Sequence, residues 1–390
     1  MPPKSFLLIV MGRLGAQAKS WPLSPGPNRV ERYPDSEVFA PPPHSPARFP
    51  ERLFYMDVFE LTRTLIDIPS VTPEEEQVGY YLFNHVKALA DRYGGTAELI
   101  EVEPARRNVF VAFGAPIVTL STHMDTVPPF IPASEDTEFI WGRGACDTKG
   151  IIAAMLTAAQ RLLEEGVRDF GILFVVGEER NSAGAWHAAK NPRGSKFIIN
   201  GEPTSNQLAL GSKGALRYEV IARGKMAHSA YPELGDSAIN KLLDVLAAIR
   251  AIPLPVDPIL GPGTLNIGTI SGGRAPNVIS DEARAEIFIR LVGDSAVTRA
   301  AVEVAAAGQA ELREVLEIPA LRLRAVPGFA TTVVAYTTDI PAFNGAWGEP
   351  LLIGPGTIHV AHTLEERVPK QELLDAVEIY RNLVIQLQRQ

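Results

Sequence analysis

Short runs of apolar residues recur along this chain and are separated by helical segments or long loops. Examples are residues 117–120, 170–176 and 197–199. Unbroken apolar runs of this length are typical of strands that are buried on both faces of a sheet. With 390 residues, the chain is long enough for more than one domain. We therefore predict an α/β fold in which helices cover both faces of the sheet.

Helical periodicity is clearest in three segments of the chain. Residues 73–93 carry one apolar stripe, and Thr72 with Glu75 matches a capping box at their start. Residues 148–165 have a broad apolar face, and residues 370–388 have a narrower one. These three helices alternate with the apolar runs, which is the pattern expected of an α/β fold.

The pattern changes between residues 207 and 325. A strand, a helix, two strands, a second helix (295–312) and a last strand (315–323) follow one another there. The order β-α-β-β-α-β is that of a ferredoxin-like module. We predict that residues 207–325 are a module inserted into a first domain, which comprises residues 56–206 and 326–390.

Residues 1–55 differ from the rest of the chain in composition. Prolines crowd this segment, and neither helical nor strand periodicity is visible in it. Such a composition is typical of disordered segments. We predict a disordered N-terminal extension, and our hypothesis is that Met56 is the functional start.

Charge and cysteine content narrow the classes of function. The formal net charge is -8 and basic residues form no stripe, which argues against binding to nucleic acid or to an anionic membrane. No apolar run reaches the roughly 18 residues that a membrane-spanning helix needs. The lone cysteine, Cys146, excludes an intramolecular disulfide, and a cytoplasmic location is predicted.

Histidines and acidic residues follow the apolar runs at the points where the predicted strands end. Ligand sites in open α/β sheets lie beyond the carboxyl ends of the strands. Imidazole nitrogen and carboxylate oxygen are zinc ligands, and a set of this size suits two ions rather than one. The sequence therefore predicts a metal site formed by residues of this set, which are His123, Asp147, Glu178, Glu179, Glu202 and His362.

Each member of this set also has a plain structural explanation. Asp147 suits the N-cap of a helix, His123 suits a hydrogen-bonded core position, and the pair Glu178 and Glu179 suits a solvated loop. The agreement of all of them at strand ends favours the metal site. Cys146 is a further candidate ligand, but the neighbouring Asp147 carboxylate is the harder and more suitable bridging group.

One carboxylate of the set is left over for proton transfer. Neighbouring residues in an extended segment point in opposite directions, so one of Glu178 and Glu179 is free to face a substrate while the other binds metal. Asp125, two residues after His123, is placed to accept the ring N–H of that histidine and to fix its tautomer.

Several motifs of the chain, taken in order, resemble the aminoacylase/carboxypeptidase family of di-zinc metallohydrolases. This family includes acetylornithine deacetylase, succinyl-diaminopimelate desuccinylase and carboxypeptidase G. The resemblance extends from about residue 56 to the end of the sequence. The matching motifs are STHMDTVP (121–128), GRGACDTKG (142–150), GEE (177–179), GEPT (201–204), GKMAHSAYPELGDSAI (224–239), GGRAPNVI (272–279) and GPGTIHVAHTLEE (354–366).

The resemblance implies a role for each residue of the metal set. His123 and Glu202 are expected to hold one ion, and Glu179 and His362 the other, with Asp147 between them. The family pattern selects His362 over the nearby His359 and does not use Cys146 as a ligand. Glu178 is expected to be the general base and acid, and Asp125 the residue that orients His123. The expected cofactors are two divalent ions, zinc first, with cobalt or manganese as alternatives.

The resemblance also implies a mixed-sheet catalytic domain with an inserted ferredoxin-like lid and dimerisation domain. His228 in that domain is expected to stabilise the oxyanion in the active site of the partner subunit of a homodimer. Asn277 and Arg290 are expected to contact the carboxylate of the substrate. Gly354, Gly356 and Thr357 are expected to line the pocket with backbone N–H donors. Gly177 and Ser280 depart from the pattern of many members, which have an acidic residue and a proline there.

The activity that we expect is hydrolysis of an amide in a small N-acyl amino acid. N-acetylornithine is the first candidate substrate. Desuccinylation of succinyl-diaminopimelate and carboxypeptidase-like removal of a C-terminal residue are alternatives with the same chemistry. A catalytically silent homologue that binds a ligand is an alternative of another class, although Glu178 and the ligands are retained. A nucleotide-binding dehydrogenase is disfavoured, because residues 142–150 lack the GxGxxG spacing.

Overall fold

The computed structural model describes residues 56–390, so the disorder predicted for residues 1–55 lies outside the described residues. The described part contains eight α-helices, which are α1 Val58–Ile66, α2 Glu76–Tyr93, α3 Lys149–Glu164, α4 Ala183–Ala189, α5 Ala238–Arg250, α6 Ser295–Ala306, α7 Ile340–Phe343 and α8 Lys370–Leu387. None of these helices combines the length and the apolar character needed to cross a bilayer.

Twenty strands accompany these helices in the described residues. The first half are β1 Thr96–Glu103, β2 Arg106–Phe113, β3 Val118–His123, β4 Ser134–Glu135, β5 Phe139–Trp141, β6 Phe170–Val175, β7 Phe197–Asn200, β8 Leu208–Ser212, β9 Gly214–Arg223 and β10 Ala227–His228. The others are β11 Val256–Asp257, β12 Gly261–Pro262, β13 Thr264–Gly272, β14 Val278–Ile279, β15 Glu282–Leu291, β16 Ala310–Ile318, β17 Leu321–Arg322, β18 Thr331–Val334, β19 Glu349–Leu352 and β20 Arg367–Pro369.

The main sheet has six strands in the order β1-β2-β6-β3-β7-β19. Strands β6, β3, β7 and β19 are parallel to one another, whereas β2 pairs antiparallel with β6, and β1 antiparallel with β2. The predicted α/β fold with a mixed sheet is therefore confirmed. Because four neighbouring strands run in the same direction, their carboxyl ends lie at one edge of the sheet.

Both faces of the main sheet are covered, which explains the unbroken apolar runs. Every residue of β3, β6 and β7 is buried. Adjacent residues of a strand point to opposite faces, so Ile172 lies in the core formed with α1, α2, α3 and α8, while Leu173 lies in the core that contains Phe343 and Trp347. A strand between two such cores has no solvent-facing position for a polar residue.

A second, antiparallel sheet follows the order β13-β15-β9-β16. Helices α5 and α6 pack on one face of it and form a separate hydrophobic core with the buried residues of β9 and β15. Strand β15 alternates strictly between buried and partly exposed residues, as expected for a sheet with one covered face. The elements of this module occur along the chain in the β-α-β-β-α-β order read from the sequence.

The capping box predicted at the start of α2 is wrong. The helix begins at Glu76, and the residue before it makes no side-chain capping bond. The Thr72 hydroxyl instead donates to Asp125 Oδ2 at 2.7 Å, and the Glu75 carboxylate forms a buried ion pair with Arg106. Both side chains have tertiary partners, which a local motif does not reveal.

The boundary between the last helix and strand of the module also differs from the prediction. Helix α6 ends at Ala306, and Gly308 follows with a φ of +75°. The strand then starts at Ala310, because residues 310–318 pair with β9. The predicted helix (295–312) is therefore too long, and the predicted strand (315–323) starts too late.

A buried histidine of α2 leads to a prediction about acid stability. His85 is buried, its Nδ1 atom has no partner among residues 56–390, and burial lowers its pKa to about 4. Unfolded chains bind a proton at this residue near pH 6.5, so folding stability falls as the pH drops below that value. From these pKa values we expect His85 to reduce the free energy of unfolding by about 2 kcal/mol between pH 7 and pH 5.

The His85→Leu variant removes this group, and we expect it to lose less stability over the same pH interval. Urea unfolding of both proteins at pH 7 and pH 5 measures the difference. Equal losses in the two proteins would contradict the prediction.

Candidate metal centre

The residues predicted to bind metal come together at the edge where the parallel strands end. His123 is the last residue of β3, and Asp147 lies in the turn before α3. The pair Glu178 and Glu179 follows β6, and Glu202 follows β7. His362 lies in the loop between β19 and β20, with a φ of +64°. The strand direction delivers the side chains that follow β3, β6 and β7 to one place, and the turn before α3 and the loop after β19 add Asp147 and His362.

The first group of possible ligands consists of His123, Asp147 and Glu202. Ligand atoms of these three residues lie within 4.8 Å of one another, and all three residues are buried. The Nε2 atom of His123 is 3.0 Å from Asp147 Oδ1. A single cation placed among these atoms would be in contact with one nitrogen and two carboxylates, a donor set that zinc accepts.

The second group consists of Asp147, Glu179 and His362, whose ligand atoms also lie within 4.8 Å of one another. The Nε2 atom of His362 is 3.1 Å from Glu179 Oε1 and 3.3 Å from Asp147 Oδ2. Asp147 therefore belongs to both groups and turns one oxygen to each histidine. This is the geometry of a carboxylate shared between two ions.

The electrostatics of the cluster fit divalent cations. Within residues 56–390, Asp147, Glu178, Glu179 and Glu202 form no ion pair with a lysine or arginine. Burial raises the pKa of Glu202 and Glu178 well above the usual range. Hydrogen bonds to Asp147 and Glu179 raise the pKa of His362 to about 10. Buried carboxylates at this density are stabilised by cations, and the donor set matches zinc, cobalt or manganese.

Asp125 holds His123 in a different way from the one expected. The Nδ1 atom of His123 is 3.0 Å from the main-chain oxygen of Asp125 and 3.5 Å from its carboxylate. The shorter distance identifies the main-chain carbonyl as the hydrogen-bond acceptor. The ring is still oriented with Nε2 towards Asp147, so the tautomer required of a metal ligand is supported by the backbone.

The Asp125 carboxylate instead fixes the loop that carries the glutamate pair. It accepts backbone N–H groups from Gly177 at 2.9 Å, Glu178 at 3.1 Å and Glu179 at 3.2 Å, as well as the Thr72 hydroxyl. Burial opposes ionisation of this side chain, but the His123 ring and these donors outweigh it and lower its pKa. One buried carboxylate therefore holds the backbone of both Glu178 and Glu179 in position.

Glu366 performs the same task for the turn that contains Asp147, and sequence reasoning missed it. Its Oε1 atom accepts the N–H groups of Gly144 at 2.9 Å and Asp147 at 3.2 Å, and its other oxygen pairs with the buried Arg143. The residue is the last of the motif at 354–366, but its neighbour Glu365 is also acidic and is exposed. Only the tertiary structure distinguishes the two.

A cavity of about 400 Å³ opens next to the two ligand groups. Glu178, Glu179 and Glu202 line it, together with Arg290 from strand β15. The Arg290 guanidinium lies 4.7 Å from the centre of the Phe288 ring, and its Nη1 atom has no partner among the described residues. The structure thus places Glu178 and Arg290 around the same space.

Other predicted substrate residues lie elsewhere or are already engaged. His228 is exposed on β10, where its Nδ1 atom accepts the N–H of Ala230, and neither His228 nor Asn277 lines the cavity. The N–H of Gly354 donates to Thr204 Oγ1 at 3.1 Å, and that of Gly356 donates to Glu372 Oε2 at 2.7 Å. These hydrogen bonds leave no support for the two glycines as substrate donors.

Three residues near the second group are not part of it, namely Thr357, Cys146 and His359. Thr357 forms an isolated bridge with Thr204 and lies outside the lining of the cavity. The Cys146 thiol is buried, with Sγ 3.8 Å from the main-chain oxygen of Thr357. Neither Cys146 nor His359 belongs to a group of ligand geometry within the described residues.

A mixed sheet whose parallel strands end beside two ligand groups that share one carboxylate fits a metal-dependent hydrolase. The model of peptidase family M20/M25/M40 matches residues 119–386. The chain belongs to this family.

Individual relatives agree with this assignment. A peptidase M20 domain-containing protein of Schizosaccharomyces pombe is 36% identical over 341 residues, 84% of each chain. A probable carboxypeptidase of Aspergillus flavus is 35% identical over 367 residues, 83% of this chain and 85% of that protein. The crystal structure of a Staphylococcus aureus tripeptidase has the same fold, with a TM-score of 0.72 and 22% identity, over 85% of this chain and 98% of that one.

The hydrogen bonds of Asp125 lead to a prediction about the glutamate loop. Asp125→Ala leaves the N–H groups of Gly177, Glu178 and Glu179 without their acceptor. Each such loss costs about 1–3 kcal/mol when the donor is buried. We expect the opening free energy of this loop to fall by about 2–4 kcal/mol, measured as faster hydrogen exchange of the three amides.

Thr72→Val is the matched control, because it removes one donor to Asp125 and leaves the acceptor in place. We expect it to change the exchange of the three amides by about tenfold at most, which corresponds to about 1 kcal/mol. Unchanged protection in Asp125→Ala would show that the loop is held by other contacts.

Proposed function

We propose that the protein is a metallo-exopeptidase of carboxypeptidase type, which hydrolyses an amide bond next to a free carboxylate in a small substrate. One observation carries this proposal, namely that the two ligand groups sharing Asp147, the unpaired Glu178 and the unpaired Arg290 surround a single cavity. The relatives named as probable carboxypeptidases support the choice of bond. N-acetylornithine deacetylation, the first expectation from the sequence, breaks the same type of bond and is the second candidate.

The proposed cofactors are two divalent ions, with zinc first and cobalt or manganese as alternatives. His123 and Glu202 would hold one ion, Glu179 and His362 the other, and Asp147 both. When bound, such ions polarise the substrate carbonyl and lower the pKa of a water molecule towards neutrality. The side chains of the protein supply orientation, proton transfer and substrate binding.

Glu178 is proposed to carry the proton. It lines the cavity beside the ligand groups, belongs to neither of them and has no hydrogen bond or ion pair from its side chain to another described residue. Its backbone is fixed by Asp125 at 3.1 Å. A carboxylate placed in this way removes a proton from the attacking water and delivers it to the leaving amine nitrogen.

Arg290 is proposed to bind the free carboxylate of the substrate. A guanidinium presents two parallel N–H donors to a carboxylate, and the unsatisfied Nη1 atom of Arg290 leaves this capacity unused within the described residues. Its stacking on Phe288 holds the planar group in one orientation. The scissile amide would then lie between Arg290 and the ligand groups.

The oxyanion donor is proposed to come from a second copy of the chain. His228 is exposed and does not line the cavity of its own chain, and Asn277 directly precedes β14, whose Val278 pairs with His228. Strand β13 is an edge strand with largely exposed residues, which offers a surface for pairing between copies. We propose a homodimer through the inserted module, residues 207–325, which would also act as a lid. The lone, buried Cys146 supports the proposed cytoplasmic location.

Variants of the centre separate metal binding from proton transfer. We expect Glu178→Gln to lower kcat by about 10²–10⁴-fold because it cannot accept the proton, while two ions per chain are retained. Asp147→Ala removes the shared ligand, so we expect it to lose both metal content and activity. Elemental analysis and kcat of the purified proteins measure these effects.

Glu317→Gln is the matched control for Glu178→Gln. Glu317 lines the same cavity but pairs with Arg299, so its loss is expected to change kcat by less than about threefold. Turnover of wild-type magnitude in Glu178→Gln would exclude the assigned proton carrier.

A substrate panel tests the proposed function itself. The enzyme with zinc or cobalt added is assayed with small dipeptides, their C-terminal amides, N-acetylornithine and other N-acetyl amino acids. We expect kcat/KM for a free carboxylate to exceed that for the matching amide by about 10- to 100-fold, because Arg290 loses a charge-assisted partner with the amide. Absence of turnover throughout the panel, with metal bound, would favour the catalytically silent binding protein.

A further inference from the structure

We propose that the cavity selects substrates with two carboxylates and that Arg180 binds the second one. This inference rests on the proposed function, because it uses the same cavity and assigns the first carboxylate to Arg290. Arg180 lies directly after the glutamate pair and lines the cavity with Arg290.

The charges that line the cavity favour a doubly anionic ligand. The acidic residues Asp147, Glu178, Glu179 and Glu202 carry four negative charges, which the two proposed divalent ions would balance, and Glu317 is paired with Arg299. Two guanidinium groups remain. Within residues 56–390, neither Arg180 nor Arg290 forms an ion pair with an acidic side chain. A pocket with two uncompensated cations next to metal ions attracts an anion of higher charge than one carboxylate provides.

The backbone of Arg180 is held in place although its side chain is exposed. The N–H of Arg180 lies 3.3 Å from the main-chain oxygen of Gly177, and that of Ser182 lies 2.8 Å from the same atom. Gly177 in turn donates to Asp125. Because Arg180 follows Glu179 in the chain, its Cα atom is about 3.8 Å from that of a proposed ligand. The guanidinium is thus tethered to the side of the cavity that carries the metal centre.

Arg290 approaches the same cavity from a different wall. It belongs to β15 of the second sheet, and Leu316 and Ile318 of strand β16 in the same sheet line the cavity with it. A substrate that contacts both arginines therefore extends from the wall of the second sheet, past the ligand groups, to the loop after β6. With a dicarboxylic acyl group, the scissile bond would lie between the two carboxylates, whereas with a C-terminal aspartate or glutamate both carboxylates would lie on the amine side of that bond.

The remaining lining residues indicate the kind of substrate segment that would connect the two carboxylates. Trp186, Pro341 and Ile358 present apolar surface to the cavity. Its volume of about 400 Å³ is at the lower end of the range for small-molecule sites. These features fit a short hydrocarbon chain that carries a carboxylate. The second carboxylate has two possible sources, the side chain of a C-terminal aspartate or glutamate and a dicarboxylic acyl group such as succinyl.

Pairs of substrates that differ only in one charge test this inference. One arm compares N-acetylglutamate with N-acetylglutamine, and the other compares N-succinylalanine with N-butyrylalanine. In one arm, we expect wild-type kcat/KM at low ionic strength to be about 10- to 100-fold higher for the substrate with the second carboxylate than for its uncharged match. The arm that shows this preference identifies whether the second carboxylate belongs to the C-terminal residue or to the acyl group. We expect the ratio to fall to near one in Arg180→Gln, mainly through KM, and to be partly retained in Arg180→Lys.

Product binding provides a readout that does not depend on turnover. Calorimetry of glutamate against glutamine, and of succinate against butyrate, is expected to show the same preference in the wild type and its loss in Arg180→Gln. Arg250→Gln, at the exposed end of α5, is the control and should retain the preference. Turnover without a preference for charge in either arm, or a preference that survives in Arg180→Gln, would overturn this inference alone. Absence of turnover with every substrate would instead reject the proposed function.

Discussion

The structure depends on holding several carboxylates close together at the edge of a sheet where they are largely removed from water. Buried carboxylates repel one another and lose hydration, so such a cluster persists only with cations or hydrogen-bond donors around it. Asp147 is central, because its two oxygens face two different histidines at 3.0 Å and 3.3 Å. Ions placed on either side of it would compensate the charge of the whole cluster.

Two further carboxylates, which are not proposed ligands, hold the loops of this cluster in position. Asp125 collects backbone N–H groups from the loop with the glutamate pair, and Glu366 collects those of the turn with Asp147. Both use a buried charge to satisfy several backbone donors, which stabilises loops that would otherwise be free to move. The candidate metal ligands are therefore side chains, but hydrogen bonds between Asp125 or Glu366 and the backbone fix the loops that carry several of them.

The second sheet contributes to the cavity without contributing a ligand from the two groups. Arg290, Leu316 and Ile318 form part of the cavity wall, while the metal residues all come from the main sheet and its loops. Under the proposed function, the main sheet would supply the metal ligands and the second sheet one of the substrate contacts, Arg290. Arg180 is an exception, since it is attached to the metal loop and yet is proposed to select the substrate.

The sequence by itself determined the α/β class, the residues that meet at the edge of the main sheet and the order of elements in the second module. The physical reason is that these features depend on local patterns, namely unbroken apolar runs that are followed by polar residues at the strand ends. Predictions from local patterns were wrong where a residue has a distant partner. Thr72 binds Asp125 and Glu75 binds Arg106, and neither side chain caps a helix.

Only the tertiary structure decided that Asp147 faces both histidines, that the Asp125 carbonyl rather than its carboxylate holds His123, and that Glu366 rather than Glu365 supports the turn. It also brought Arg180 and Arg290 to one cavity. Such contacts join residues that are far apart in the chain, so no spacing in the sequence encodes them, and they are fixed only when the parallel strands bring their carboxyl ends together.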